Sequence, residues 1–312
     1  LKFEEIFYLQ IRLIKKNLVR KEKIKGYCFK SIGKYFNEFY KSILDFDLTN
    51  AQKRVIKEIR KDLGDGAQMN RLLQGDVGSG KTIVAFMSAL IAIGNGFQVC
   101  IMTPTEILSY QHYNKFNEIC KILNINIKII SGSSKASIKK EIKNDLKDGK
   151  IDLIIGTHAL IYDGIQFNNL GLAIIDEQHK FGVAQRSKLW LKNEFPPHVL
   201  IMTATPIPRT LAMSVYGDLD MSIIDELPPG RKYIETFHQS DRDRLKLIRF
   251  IKNQIHKGKQ AYIVYPLIKE SEKLDFKDLL DGYESFSRDF PMPDYHISIV
   301  HGKMKNDEKE NE

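Results

Sequence analysis

Residues Asn70–Thr82 read NRLLQGDVGSGKT. A short apolar run passes into three spaced glycines, Gly75, Gly78 and Gly80, and these end on Lys81 and Thr82. Gly75–Thr82 satisfies the pattern G-x-x-x-x-G-K-[ST] at every position. Glycines let the backbone curl until its N–H groups converge on one spot. A helix starting at the end of the loop adds partial positive charge there, and phosphate oxygens suit both. Gly75, Asp76, Val77, Gly78, Ser79, Gly80, Lys81 and Thr82 are therefore expected to cradle the phosphates of a nucleotide such as ATP. Lys81 would reach the terminal phosphates, and the Thr82 hydroxyl would coordinate Mg²⁺. The pattern has the context it needs, a strand before it and a helix after it. The competing reading is a glycine turn with no ligand.

From Leu48 onward, helical patterns alternate with short apolar runs: NRLLQ, QVCIMTP, IKIISG, DLIIGT, LAIIDE and VLIMTAT. Such alternation predicts an α/β domain with a parallel sheet and helices on both faces. Ligands of open parallel sheets bind beyond the carboxyl ends of the strands. The run Leu172–Glu177 ends there in two adjacent acids, which are costly to bury unless something compensates them. In a nucleotide site Asp176 is a direct or indirect partner of Mg²⁺, and Glu177 can orient and deprotonate the attacking water. Otherwise the strand simply ends at the surface with two solvated acids. Gln52 has two readings of its own. Thr49–Gln52 (TNAQ) is a capping box, and a glutamine amide can also pair with an adenine edge.

The 312 residues are 43% hydrophobic and 28% charged, enough for one large or two medium globular domains. The formal net charge of +9 makes nucleic acid a natural partner, although dispersed lysine also serves solubility. Cys28, Cys100 and Cys120 are odd in number and far apart, which argues against a disulfide framework or a structural zinc. No apolar run approaches the roughly 18 residues of a membrane helix. Leu1 to about Lys25 places Phe3, Phe7, Leu13, Ile14 and Leu18 at helical spacing, and a second short helix carries Tyr35 to Leu44. Lys139 and its neighbours lie in an amphipathic helix with Ile138, Ile142 and Leu146 on one side. After LPPGR (Leu227–Arg231) a second unit begins, with strands expected at YIETFH, QAYIVYPLI and HISIVHG and a helix over Asp241–Lys257. The chain starts at Leu1 and stops in KNDEKENE, so both ends read as cut.

The order Gln52, GDVGSGKT, TPTEILSYQH, SG, GTHAL, DEQH, TATPIPRT resembles the superfamily 2 helicase motor. DEQHKFGVAQR, TATPIPRTLA and DELPPGR resemble, more closely, the RecG family of bacterial branched-DNA helicases. The motor of the transcription-repair coupling factor shares TATPIPRT, but typically has DEEH for DEQH and an aromatic where Ser79 stands. The resemblance implies a RecA-like first lobe over 48–232, a truncated second RecA-like lobe over 233–312, and, in 1–47, a helical linker from a wedge domain not present here. It implies DNA-backbone contacts at Pro104, Thr105, Glu106, Ser131, Gly132, Gly156, Thr157 and His158. It further implies coupling of hydrolysis to movement through Gln178, His179, Thr203, Ala204 and Thr205. His179 also reads as a surface histidine, and Arg209 could pair with an acid or with a phosphate. The implied activity is ATP- and Mg²⁺-dependent remodelling of forks and junctions in branched duplex DNA, in the bacterial cytoplasm at the nucleoid. Neither a membrane nor a stable protein partner is expected. The arginine that reaches across to the γ-phosphate would lie beyond residue 312, so this stretch alone is expected to hydrolyse ATP poorly. A non-catalytic nucleotide-binding module is the reading from a different class.

Overall fold

The structure, a computed structural model, describes residues 2–132, 134–157, 160, 165–176, 195–205, 219–228, 230, 234–265, 279–302, 304, 308, 309 and 312. The chain divides into two compact units, Leu1–Lys232 and Tyr233–Glu312.

Seven strands of the first unit form one sheet: β1 (Asn70–Gly75), β2 (Gln98–Met102), β3 (Ile127–Ile130), β4 (Leu153–Gly156), β5 (Leu170–Asp176), β6 (His198–Thr203) and β7 (Asp220–Ile224). Their spatial order is β3-β4-β2-β5-β6-β1-β7, and every pairing is parallel. The α/β parallel sheet read from the sequence is present, and its first six strands coincide with the six apolar runs. The seventh strand was not anticipated. It lies at one end of the sheet and is only half buried, and its five residues DMSII carry too weak an apolar signal to stand out.

Side chains alternate across the sheet, and both faces are covered. Leu73, Val99, Ile101, Leu172, Ile174, Leu200 and Met202 belong to one core. Their neighbours Leu72, Cys100, Met102, Ala173, Ile175, Val199 and Ile201 belong to the other. A strand buried on both sides needs no polar face, so it reads as a continuous apolar run. The first core takes in Val55 and Ile59 of α3 (Asn50–Gly64), nearly all of α4 (Lys81–Gly94), and Phe116 and Cys120 of α5 (Glu106–Ile122). The second takes Ile142 and Leu146 from α6 (Ala136–Lys147), while Ile138 is exposed.

Ahead of α3 lie α1 (Lys2–Lys23) and a short α2 (Lys34–Glu38) that continues as a π-helical turn, Phe39–Ile43. Phe29, Phe39 and Leu48 are buried in the first core, so the stretch after α1 is packed into this unit. Phe3, Phe7, Ile14 and Leu18 of α1 are exposed.

In the second unit α7 (Arg244–His256) and α8 (Leu279–Asp289) share a small core of Ile248, Phe286 and Phe290. Arg244 donates to Asp289 at 2.6 Å and to Ser285 at 2.8 Å. The expected helix is found, but the strands expected at YIETFH, QAYIVYPLI and HISIVHG are not formed among the described residues. A strand exists through its ladder, and without a paired neighbour Tyr262 and Val264 stay 89% and 88% exposed.

Candidate nucleotide-binding site

β1 ends at Gly75 and α4 begins at Lys81, so the loop between them sits against the positive end of a helix. Gly78 and Gly80 hold φ of +77° and +93°, which L side chains rarely adopt. The Lys81 ammonium donates to the Gly75 carbonyl at 2.7 Å and the Asp76 carbonyl at 2.9 Å, which curls the loop around it. The Ser79 hydroxyl is buried with no hydrogen-bond partner among the described residues. Gly78, Gly80, Lys81 and Thr82 line a cleft of about 550 Å³ together with Phe46, Asp47, Gln52, Ile83, Lys115 and Pro228. That volume is in the usual range for a small-molecule site. An unpartnered buried hydroxyl, a lysine beside a helix N-terminus and an open cleft together fit a nucleotide's phosphates, and Thr82 with Asp176 fits the oxygen donors Mg²⁺ prefers.

Gln52 is buried, and both ends of its amide are engaged. Its Oε1 accepts from the Thr49 N–H at 2.9 Å, and Thr49 Oγ1 accepts from the Gln52 N–H at 3.2 Å, so the capping box is real. Its Nε2 donates to the Ser79 carbonyl at 2.8 Å. The same side chain therefore starts α3, anchors the phosphate loop and lines the cleft. Just beside it, the Glu226 carboxylate accepts from the Ala51 N–H at 3.0 Å. Arg54 donates to Asp225 at 2.8 Å and holds that exposed carboxyl below its ordinary range.

The strand order sorts the other candidates. β5, β6 and β1 are neighbours, which brings Asp176, Thr203 and Gln74 to adjoining carboxyl ends. Thr203 and Thr205 are joined by a 2.7 Å bond between their hydroxyls, with Ala204 between them in sequence. Asp176 Oδ2 lies 2.9 Å from Nε2 of His112, a buried residue of α5. On the other half, β3, β4 and β2 are neighbours and set three loops side by side: Pro104–Glu106, Ser131–Gly132 and Gly156–Thr157. Thr105 caps α5, accepting from the Leu108 N–H at 3.3 Å. The second loop closes on the first, since a Cβ on Gly132 would stand 2.8 Å from the Glu106 carboxylate. Ser131 and Thr157 are buried, and the Ser131 N–H donates to Ser134 Oγ at 3.1 Å. His158, Glu177, Gln178, His179 and Arg209 lie outside the described residues.

Residues 49–214 match the family model of DEAD/DEAH box helicases. The chain belongs to the DEAD/DEAH box helicase family. It is 47% identical over 309 residues to the ATP-dependent DNA helicase RecG of Aquifex aeolicus, covering 98% of this chain and 38% of that protein. It is 46% identical over 313 residues to the RecG helicase of Thermotoga maritima, covering 99% of this chain and 39% of that one. A solved structure of RecG bound to a three-way DNA junction superposes with a TM-score of 0.77 at 42% identity, over 92% of this chain and 37% of the other. The chain thus spans less than half the length of these relatives. The similarities bear out the RecG-type resemblance carried by the motifs, and they do not favour the coupling-factor motor.

For a helicase lobe of this kind, the sequence reading missed five cleft-lining residues, Phe46, Asp47, Ile83, Lys115 and Pro228. It also missed His112, which falls within the quoted TPTEILSYQH. Nothing local marks Lys115 or Pro228, because only the fold brings them to the loop. His112 carried a signal: a polar ring four residues before Phe116 on the buried side of a helix needs a partner.

Proposed function

We propose that this chain is the motor portion of an ATP-dependent DNA helicase of RecG type, which remodels stalled forks and recombination junctions. The supporting observation is the division of one sheet edge. The phosphate cradle and Asp176 stand over β1, β6 and β5, while three loops suited to a nucleic-acid backbone stand over β2, β4 and β3. ATP binding at one half can thereby be felt at the other through strands of a single rigid sheet. Within the cradle, the backbone N–H groups of the loop and the Lys81 ammonium hold the phosphates of ATP. Thr82 and Asp176 would hold its Mg²⁺, and Glu177 would take the proton of the attacking water. Bound Mg²⁺ would supply neutralisation of charge on the terminal phosphates. Gln52 lines the cleft and reports on the base in this reading, a role supported by its bond to the phosphate loop. Thr203–Thr205 and the sequence Gln178–His179 carry the change in the γ-phosphate to the DNA side.

Backbone loops read phosphates rather than base edges, so binding should be steeply salt-dependent and nearly indifferent to sequence. The junction-bound RecG relative supports branched duplex as the preferred substrate. Among the described residues no helix is long and apolar enough to cross a membrane, and DNA at the nucleoid is the site of action we propose. The test is the ATPase rate of the intact open reading frame with forked, linear duplex and single-stranded DNA. Strong stimulation by forks supports the reading. A rate indifferent to DNA, or binding with marked sequence preference, would favour a nucleotide-binding module with another task.

A further inference from the structure

His112 sits where the nucleotide site meets the core, and the phosphate-loop pattern assigns it no role. It is 8% exposed, and its Nε2 lies 2.9 Å from Oδ2 of Asp176, 64 residues away on β5. An ionised carboxylate only accepts, so Nε2 carries the hydrogen in this bond. The ring plane is fixed independently of that bond. His112 stacks on Phe116 at 5.9 Å and 14°, and Phe116 stacks on Phe86 of α4 at 4.3 Å and 10°. Phe86 is braced in turn by Phe39 of the π-helical turn, edge to face at 5.3 Å. The imidazole cannot swing without disturbing the helix that begins at Lys81. One oxygen of Asp176 is thus committed to a donor that is itself locked to the phosphate-loop helix.

We propose that His112 is a positioning residue for Mg²⁺: its Nε2–H fixes the carboxylate of Asp176 in the orientation that Mg·nucleotide requires. This rests on the reading of Asp176 as a Mg²⁺ partner. A donor of this kind orients the acid before the metal arrives, so its loss falls on metal affinity as well as on stability. Removing such an outer partner typically weakens metal affinity or activity about 10- to 100-fold.

The experiment measures affinity for a fluorescent ADP analogue with and without Mg²⁺, in the intact open reading frame, alongside the melting temperature. His112→Phe keeps the stack on Phe116 and removes the donor. His112→Gln drops the ring but restores an N–H at the level of Nε2. The Mg²⁺-dependent gain in affinity should fall about 10-fold or more in His112→Phe and recover to within about threefold of wild type in His112→Gln. Metal-free affinity should barely move in His112→Phe, and any melting temperature lost by leaving Asp176 without its donor should return in His112→Gln. The inference is overturned if His112→Phe keeps the full Mg²⁺-dependent gain. It is also overturned if both variants lose that gain equally and melt early, which is the behaviour of a core histidine. Lys81→Ala separates the two levels of the argument: unchanged nucleotide affinity in that variant would remove the site reading itself.

Discussion

Adding one methyl group at Gly80 should both destabilise the protein and loosen the phosphate loop. Gly80 has φ +93°, and holding an alanine there costs about 1–2 kcal/mol from the left-handed backbone alone. The new Cβ would also stand 2.3 Å from Nε2 of Gln52, well inside contact distance. Gln52 is buried, so it can yield only by giving up its 2.8 Å bond to Ser79 and its 2.9 Å bond from Thr49. Two hydrogen bonds at about 0.5–1.5 kcal/mol each bring the total to about 2–5 kcal/mol. Gln52→Ala removes the obstacle, so in that background Gly80→Ala should cost only the backbone strain. Urea unfolding of wild type, both single variants and the double variant, followed by circular dichroism, closes the cycle. The double variant should be less destabilised than the sum of the singles by about 1–3 kcal/mol. Additivity within about 0.5 kcal/mol would refute the contact between the capping glutamine and the loop.

Two further predictions concern the frame around the site. Buried His198 accepts from the Met69 N–H through Nδ1 and donates from Nε2 to the Tyr27 carbonyl, and burial pushes its pKa down from 6.5 to about 4. Between pH 6.5 and 4 the unfolded chain binds a proton that the folded chain refuses, so stability is full above about 6.5 and falls as pH drops towards 4. The loss from this group is about 3 kcal/mol, and His198→Gln should flatten that part of the profile in unfolding measured at pH 7, 5 and 4; parallel profiles would count against it. Arg71 on β1 bonds Asp62 at 2.6 Å and Ser222 at 2.7 Å, and Ser222 in turn bonds Glu58, tying α3, β1 and β7 together. Arg71→Ala leaves Asp62 largely buried without its cation and should cost about 3–5 kcal/mol in the same unfolding assay; a cost below 1 would mean the network is superficial.

What could be read from the sequence was what is local. A phosphate loop is eight consecutive residues, so its pattern is complete before any folding. A strand buried on both faces announces itself as an apolar run, and five were found that way, while β3, at the sheet edge with Lys128 exposed, was found by its three isoleucines. β7 escaped because it is half covered, with acids at Asp220 and Asp225 at its two ends. The three strands expected in the second unit had the right β-branched and aromatic content, but content is not pairing. Ile234, Tyr262 and Val264 remain exposed with no ladder among the described residues. In the site, Gln52 was read as either a cap or a contact to an adenine edge, and the capping half of that choice is now visible as hydrogen bonds. The His112–Asp176 bond could not be read at all, since only the adjacency of β2 and β5 brings α5 to the acid.

We propose that Gly75–Thr82 binds ATP for a DNA-driven motor. It is tested most directly by steady-state ATP hydrolysis of the intact open reading frame, wild type against Lys81→Ala, with forked DNA at saturation. Loss of one preorganised cation on the transferring phosphate should slow hydrolysis by about 10²- to 10³-fold, while affinity for the fork stays within about threefold. Hydrolysis at the wild-type rate in Lys81→Ala would contradict the account.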